Sequence, residues 1–394
     1  MLFGKSSAIF FHNAVVLNAD GIIGESLRIE NGKFAALDAA PRKNDFVVDC
    51  RGGLLAPGLI NAHEHLGVNN FGRLKYRDVY PNAHAWSLDI EARFETDPKI
   101  TAPRAVPIAD RLFIGGIKNL LAGATTVCHH DPWHSSLNAN FPVRVARPFG
   151  YCHSLQRGGD VRKSFRATPR GAAWIIHLAE GTDDASAREL DQLDALGCLE
   201  KNTGIVHGVG LTPRQREKII ARGAGLIWCP SSNFFLLNKT ANVSDLARAG
   251  LLALGTDSRL TGDGDIWDEL RAANQTQQLT PRELFGLVTT HAARILRVKK
   301  LGALEMGAPA DLILLPAPRG DPFAALVQTR RSDLQMVMLG GKPRLGDLAM
   351  QELFAARGVE FARVRVDGAA KLLDAHIARR LKRNRVGEAG VKLD

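Results

Sequence analysis

The sequence predicts an α/β protein: a (β/α)8-type barrel, irregular at its fourth unit, with a small β-sandwich domain built from both termini and a helical C-terminal tail. Two observations lead there. The middle of the chain alternates continuous apolar strands with helical stretches, the pattern of a parallel sheet covered on both faces, and over about 240 residues such a sheet closes into a barrel. The two flanks instead share short β-rich runs separated by turn residues.

Residues 1–55 supply the first part of the β-domain. AIFFHNAVVLNADG, ESLRIENGKFAAL and DFVVDCRGG are β-rich, and Asn-Ala-Asp-Gly, Glu-Asn-Gly and Pro-Arg-Lys-Asn-Asp punctuate them. The opening stretch has no small-residue cleavage pattern and reads as a strand, not a signal peptide. Residues 56–298 form the barrel. Its apolar runs are LLAPGLINAHEH, GATTVCHHD, VARPFGYCHS, AAWIIHLAEG, TGIVHGVGL, AGLIWCPSSN and LLALGTDS, with helices such as AVPIADRLFIGGIKNLLAG and TPRQREKIIARGA between them. Residues 154–172 show neither a clear strand nor a clear helix, so one unit is missing or irregular there. Residues 299–347 return to strands, ADLILLPAP and LQMVMLGGKPRLGD, and complete the β-domain. Residues 348–394 are expected to be a basic helical tail, with Leu372, Leu373, Ile377 and Leu381 at helical spacing.

Composition narrows the function. With 45% hydrophobic and 23% charged residues the chain is an ordinary globular one. No stretch reaches the roughly 18 apolar residues of a membrane span. Five widely spaced cysteines without a CxxC argue against disulfides and a zinc knuckle, and for a reducing, cytoplasmic setting. Lys and Arg outnumber Asp and Glu 51 to 41. From Lys371 onward there are seven Lys/Arg against three Asp/Glu, which reads as the solvated face of a terminal helix. Without interleaved aromatics or a groove-reading motif, no nucleic-acid partner is expected.

Chemistry-bearing residues sit where the strands end. His63 and His65 close the first barrel strand, His177 and Glu180 another, His207 follows, and Asp257 closes the last. In a β/α barrel these ends converge on one mouth. Each piece alone has a bland reading. A strand places i and i+2 on one side, so His63 and His65 could share a metal or line a polar interior. A single His177 could be a satisfied core histidine, and a single Asp257 a turn or helix cap.

PGLINAHEH, WIIHLAEG, VHGVGL and LGTDS, in that order, together with CPSSN and LGALEMGAPADLILLP, resemble the amidohydrolase superfamily. The likeness is to its mononuclear aminohydrolase branch, which includes cytosine, guanine and S-adenosylhomocysteine deaminases, triazine hydrolases and imidazolonepropionase. It spans about residues 8–345 and leaves the tail uncovered. The resemblance implies His63, His65, His177 and Asp257 as metal ligands, with Glu180, His207 and Asp257 catalytic. Three imidazoles and a carboxylate suit one Zn²⁺, or Fe²⁺ as the alternative. Binuclear relatives use a carboxylated lysine at a strand end, and Lys163, flanked by Arg162 and Ser164, does not occupy one.

The implied activity is hydrolysis of a carbon–nitrogen bond other than a peptide bond: deamination of a purine-, pyrimidine- or pterin-type heterocycle by hydroxide generated on the metal. Cyclic amide hydrolysis of the imidazolonepropionase type is the alternative, and a non-catalytic scaffold a distant third. A small-molecule substrate and a homo-oligomer are expected. His130, Trp133 and His153 are the expected substrate contacts, since alternation lets only one of His129 and His130 face inward. Arg259 either binds an anionic substrate group or pairs at the rim with Asp263 or Asp265.

Overall fold

The structure, a computed structural model, describes residues 8–138, 140–157 and 159–393. The chain opens with β1 (Ile9–Asn18), β2 (Gly21–Gly24), β3 (Leu27–Glu30), β4 (Lys33–Leu37) and β5 (Phe46–Pro57). The barrel strands are β6 (Leu59–Glu64), β7 (Ala124–His129), β8 (Arg144–Val145), β9 (Phe149–Cys152), β10 (Ala173–Leu178), β11 (Thr203–His207), β12 (Gly225–Trp228) and β13 (Leu252–Leu254). After them come β14 (Leu312–Leu315), β15 (Met336–Leu339), β16 (Lys342–Asp347), β17 (Phe361–Val366), β18 (Ala369–Asp374) and β19 (Val391–Leu393).

The barrel pairs in parallel as β6-β7-β8 and β9-β10-β11-β12-β13. The chain beyond β13 returns to β6: the Asp257 amide donates to the His63 carbonyl at 3.1 Å and the His65 amide to the Asp257 carbonyl at 3.0 Å. β8 pairs with β7, and β9 with β10. Only Ala146, Arg147 and Pro148 separate β8 from β9, so the two short strands are halves of one broken strand. The ring therefore has seven strand positions, not the eight expected. The irregular stretch holds a helix, Val161–Ala167, which leads straight into β10. Among the described residues no strand lies between β9 and β10.

Every strand position of the ring contributes to one interior cluster. Ile60, Ala62, Cys128, Tyr151, Ile175, Val206, Ile227 and Ala253 pack together inside, joined by Ala292 and Ile295 of the helix Thr290–Ile295. The alternate residues, such as Trp174, Ile176 and Leu178, belong to the outer core against the helices. All five cysteines are buried and unpaired.

The flanking strands form one hydrogen-bonded sheet of eleven, in the path β19-β17-β18-β16-β15-β14-β5-β1-β3-β4 with β2 on β1. The two terminal segments thus share one continuous sheet, and residues of both, Phe11 and Ile29 with Leu312 and Met336, pack in one core. β5 is its bridge to the barrel: it pairs with β14 through Pro57 opposite Leu312, so the expected boundary at residue 55 falls inside a strand. Gly58 then turns the chain into β6; a Cβ there would lie 2.3 Å from Thr125 Oγ1, so only glycine fits. The tail is a second departure. FARVRV and AAKLLD pair as the β17–β18 hairpin, because Val364 and Val366 alternate with exposed Arg363 and Arg365 at a strand's period. Leu372 and Leu373 are buried in β18, and only Ile377 and Leu381 lie on the helix, Ala375–Arg383.

Candidate active site

Strand parity aims most of the predicted residues into the ring. Cys128, Tyr151, Ile175 and Ala253 point inward, so His130, His153 and His177, each two residues further on, point the same way, and so does Asp257, four residues on. Two residues need a device. Between Asn61 and Glu64, β6 has one residue more than β7, a bulge that follows inward Ala62 with inward His63. Glu64 consequently faces out, between two inward histidines. His207 lies next to inward Val206, and its positive φ of 76° turns it toward the mouth.

Four donors converge. His177 Nε2 lies 3.1 Å from His63 Nε2 and 3.3 Å from His65 Nε2. Asp257 Oδ1 is 3.7 Å from both His63 Nε2 and His65 Nε2. Tetrahedral Zn²⁺ with bonds of about 2.05 Å has donor–donor edges of about 3.3 Å. Two of the three other ring nitrogens are committed: His65 Nδ1 pairs with Asp131 at 2.9 Å, and His177 Nδ1 donates to the His153 carbonyl at 2.8 Å, whereas His63 Nδ1 has no protein partner. With those Nδ1 atoms engaged, the Nε2 atoms of His63, His65 and His177 face one another across a gap that a cation fills once His65 gives up its proton. The residues present therefore fit one divalent metal.

His130 lies with this group. Its ligand atom and those of His63, His65 and His177 are all within 4.8 Å of one another. His130 is fully buried, Nε2 meets the Cys152 carbonyl at 3.2 Å, and Nδ1 has no partner. It is below the cavity rather than on its wall, which places it nearer the metal donors than a substrate.

Above the donors lies a cavity of about 280 Å³, whose walls include His65, His153, His177, Glu180, His207 and Asp257. The two carboxylates there are held in opposite states. Burial opposes ionisation of Asp257, but hydrogen bonding to His63 and the charges of His65, His63 and His207 hold its carboxyl far below the usual range. Its Oδ2 also accepts from Ser232 Oγ at 2.8 Å and Thr261 Oγ1 at 2.6 Å. Burial, then the charges of Asp257 and Glu189, push Glu180 well above the usual carboxylate range. Glu180 Oε2 is 3.5 Å from His207 Nε2. His207 is driven down to about 4, by burial above all, and is neutral. Its Nδ1–H donates to Asn233 Oδ1 at 2.9 Å, while Asn233 Nδ2 donates to Thr240, so Nε2 faces the cavity as an acceptor. His65 is the exception among the imidazoles. Burial lowers it, but Asp131 and Asp257 carry it up to about 9, so a metal here displaces a proton.

Trp133 does not line the cavity. Its ring packs on the core and lies under the Arg147 guanidinium, 3.6 Å away. Arg259 pairs with neither Asp263 nor Asp265 but with Glu388 of the tail, at 2.6 Å. Sequence reading missed the helix Ala83–Glu91, which contributes His84 and Trp86 to the cavity wall, and Leu236 and Leu260 opposite. These residues carry no spacing signal; only folding brings them over the strand ends.

A family model described as "Amidohydrolase family" matches residues 167–344. The 5-methylthioadenosine/S-adenosylhomocysteine deaminase of Halobacterium salinarum is 26% identical over 336 residues, 72% of this chain and 78% of that protein. The 8-oxoguanine deaminase of Pseudomonas aeruginosa is 30% identical over 199 residues, 45% of this chain and 44% of its own. Among solved structures, a zinc-bound adenosine deaminase from Xanthomonas campestris superposes with a TM-score of 0.65 at 21% identity, covering 89% of this chain and 97% of that one. The zinc complex of atrazine chlorohydrolase from Arthrobacter aurescens gives 0.68 at 18%, covering 89% and 98%. At such identities the structural likeness speaks to the fold. The chain carries a domain of the amidohydrolase family.

Proposed function

We propose that the protein is a metal-dependent aminohydrolase that removes an exocyclic amino group from a nitrogen heterocycle, with one Zn²⁺ held by His63, His65, His177 and Asp257. The observation that carries this reading is the pair of carboxylates on one cavity wall, Asp257 beside the donors with its carboxyl drawn down and Glu180 above them with its carboxyl pushed up. Deamination needs that division of labour: one group to take a proton from water, another to give one to the ring. The relatives named as deaminases of adenosine-type and 8-oxoguanine substrates support the same reaction class.

A divalent cation in this donor set would acidify water and polarise the carbon under attack. The remaining steps belong to the chain. Asp257, anchored by Ser232 and Thr261, accepts the proton of the attacking water, and the His207 Nε2 lone pair orients that water. Glu180 delivers its proton to the ring nitrogen beside the reacting carbon. As the carbon–oxygen double bond forms, the hydroxyl proton returns to Glu180, the carbon–nitrogen bond breaks, and the proton held at Asp257 leaves with the amine as ammonia. A cavity of about 280 Å³ walled by Trp86, Leu236 and Leu260 takes a planar heterocycle, with Gln156 and Arg157 on its polar side.

The test is a screen of metal-loaded protein against aminated purines, pyrimidines, triazines and pterins, with cyclic ureas in parallel, reading ammonia release and ring opening separately. Ammonia from an aminated ring is the expected result. Ring opening of a cyclic urea without ammonia would replace this reading by cyclic amide hydrolysis.

A further inference from the structure

We infer that Glu388, in the C-terminal segment beyond the matched family region, is a positioning residue for the active-site loop that carries Asp257. The inference rests on the proposed role of Asp257 as a metal ligand.

The loop leaves β13 and turns sharply. Asp257 itself has a φ of 56°, a left-handed conformation in which the chain reverses direction just past the strand. The next four residues decide where its carboxylate points. Thr261 donates to Asp257 Oδ2, and Ser258, Leu260 and Thr261 line the cavity. Arg259 lies at the centre of this segment and faces away from the cavity. Its guanidinium meets Glu388 in a two-pronged pair, Nη1 to Oε2 at 2.8 Å and Nη2 to Oε1 at 2.6 Å. Such fork-to-carboxylate pairing fixes orientation as well as distance.

Glu388 is itself immobilised. Its side chain is 0% exposed, and Oε1 also accepts from Arg331 Nη1 at 2.7 Å. Arg331 in turn holds both oxygens of Asp367 at 2.7 Å, in the β17–β18 turn, and donates to the Ala389 carbonyl at 2.6 Å. Two arginines and two carboxylates thus form a neutral chain, buried at Glu388 and Arg331 and reaching the surface at Asp367, that ties the tail sheet to the loop. On the other side, the Arg259 amide donates to Asn69 Oδ1 at 3.2 Å, and Asn69 Nδ2 donates to Glu64, which lies between His63 and His65. Arg259 is the one residue of the loop fastened at both ends, by its backbone toward the histidine strand and by its side chain to the tail. A tail that only covered apolar surface would not place a fully buried carboxylate on this arginine.

The test uses Co²⁺ as a spectroscopic probe in the full-length protein, because the visible spectrum of bound Co²⁺ reports its ligand geometry without any substrate. Glu388→Gln removes the charge and keeps the shape. We expect it to bind Co²⁺ about tenfold more weakly, with a changed visible spectrum, while far-UV circular dichroism stays native. Glu388→Asp is expected to recover most of the affinity and the spectrum. Arg259→Gln, at the less buried end of the pair, should reproduce the change, and the double variant should add little to it; this variant carries the test if Glu388→Gln does not fold. A Glu388→Gln protein that is less stable to heat but has the wild-type Co²⁺ affinity and spectrum would overturn the inference and leave the tail a structural element. A wild-type protein that binds no Co²⁺ would instead overturn the proposed metal site, so the two failures are distinguishable.

Discussion

Two buried polar clusters lie on opposite faces of β6, one residue apart. Inside the ring, His63 and His65 meet His177 and Asp257. Outside it, Glu64 meets Lys118 at 2.8 Å, Asn119 at 3.0 Å, Asn69 at 3.0 Å and Thr256 at 2.9 Å. Both clusters are largely buried, yet they differ in how they end. Burial opposes the Glu64 charge, but Lys118 and the amide donors outweigh it and hold the carboxyl below its usual range. Every oxygen of Glu64 is satisfied by protein. The inner cluster instead brings three imidazole Nε2 atoms against one another and leaves a buried His63 Nδ1 without a protein partner. A polar cluster that closes on itself supports the fold, and one that stays incomplete is shaped for something the chain does not supply.

Breaking the inner cluster has the largest expected effect. His63→Ala or His177→Ala should abolish tight metal binding and lower turnover to background, measured by elemental analysis and ammonia release. Glu180→Gln separates catalysis from metal binding: metal content should stay near wild type while kcat falls by about 10²–10⁴, the usual worth of a positioned acid–base group. Loss of metal in that variant would make Glu180 a ligand and sink the assignment.

Breaking the outer cluster should read out as stability. Lys118→Met strands a buried carboxylate, and chemical denaturation should show a loss of about 3–5 kcal/mol. Adding Glu64→Gln should recover part of it, with Co²⁺ affinity changed less than the inner variants change it. Equal effects of the two clusters on metal binding would erase the contrast drawn between them.

The pH dependence sharpens the comparison further. In the metal-free protein His65 is raised from 6.5 to about 9. Its contribution to stability is therefore fully present below pH 6.5 and is lost as pH rises through about 9. Thermal unfolding of chelator-treated protein should show that fall, and Asp131→Asn should remove it. The same proton competes with the metal, so uptake near pH 7 should release it into a weakly buffered solution. The smallest effect is expected at Trp133: Trp133→Phe should leave KM within about twofold, because the ring sits under Arg147 and outside the cavity, whereas His153→Ala should raise KM.

How much of this was legible depended on range. His177, His130, His153 and Asp257 follow from strand alternation, because the two-residue period of a strand is a local property. The inward turns of His63 and His207 are not local in that sense. One needs the extra residue in β6 opposite β7, the other a left-handed backbone at the strand end, and apolar patterning records neither. The irregular unit was legible only as residues 154–172 lacking a clear strand; the break at Ala146–Pro148, inside a run that reads as one strand, and the reduction to seven positions emerge only from which strand pairs with which.

The sequence by itself determined the strand–helix alternation, the order of the ligand-bearing strand ends, and the pairing of chemistry-bearing residues with those ends, because each is written in periods of two or in short motifs. The tertiary structure alone decided that Glu64 turns its back on the metal donors, that the helix Ala83–Glu91 walls the cavity, and that Arg259 is claimed by Glu388, 129 residues away. It also decided that the tail continues the sheet, since β18 pairs with β16 rather than joining the helix after it. These outcomes rest on long-range pairings, whose partners are chosen by the packing of the whole chain and leave no mark in the spacing of neighbouring residues.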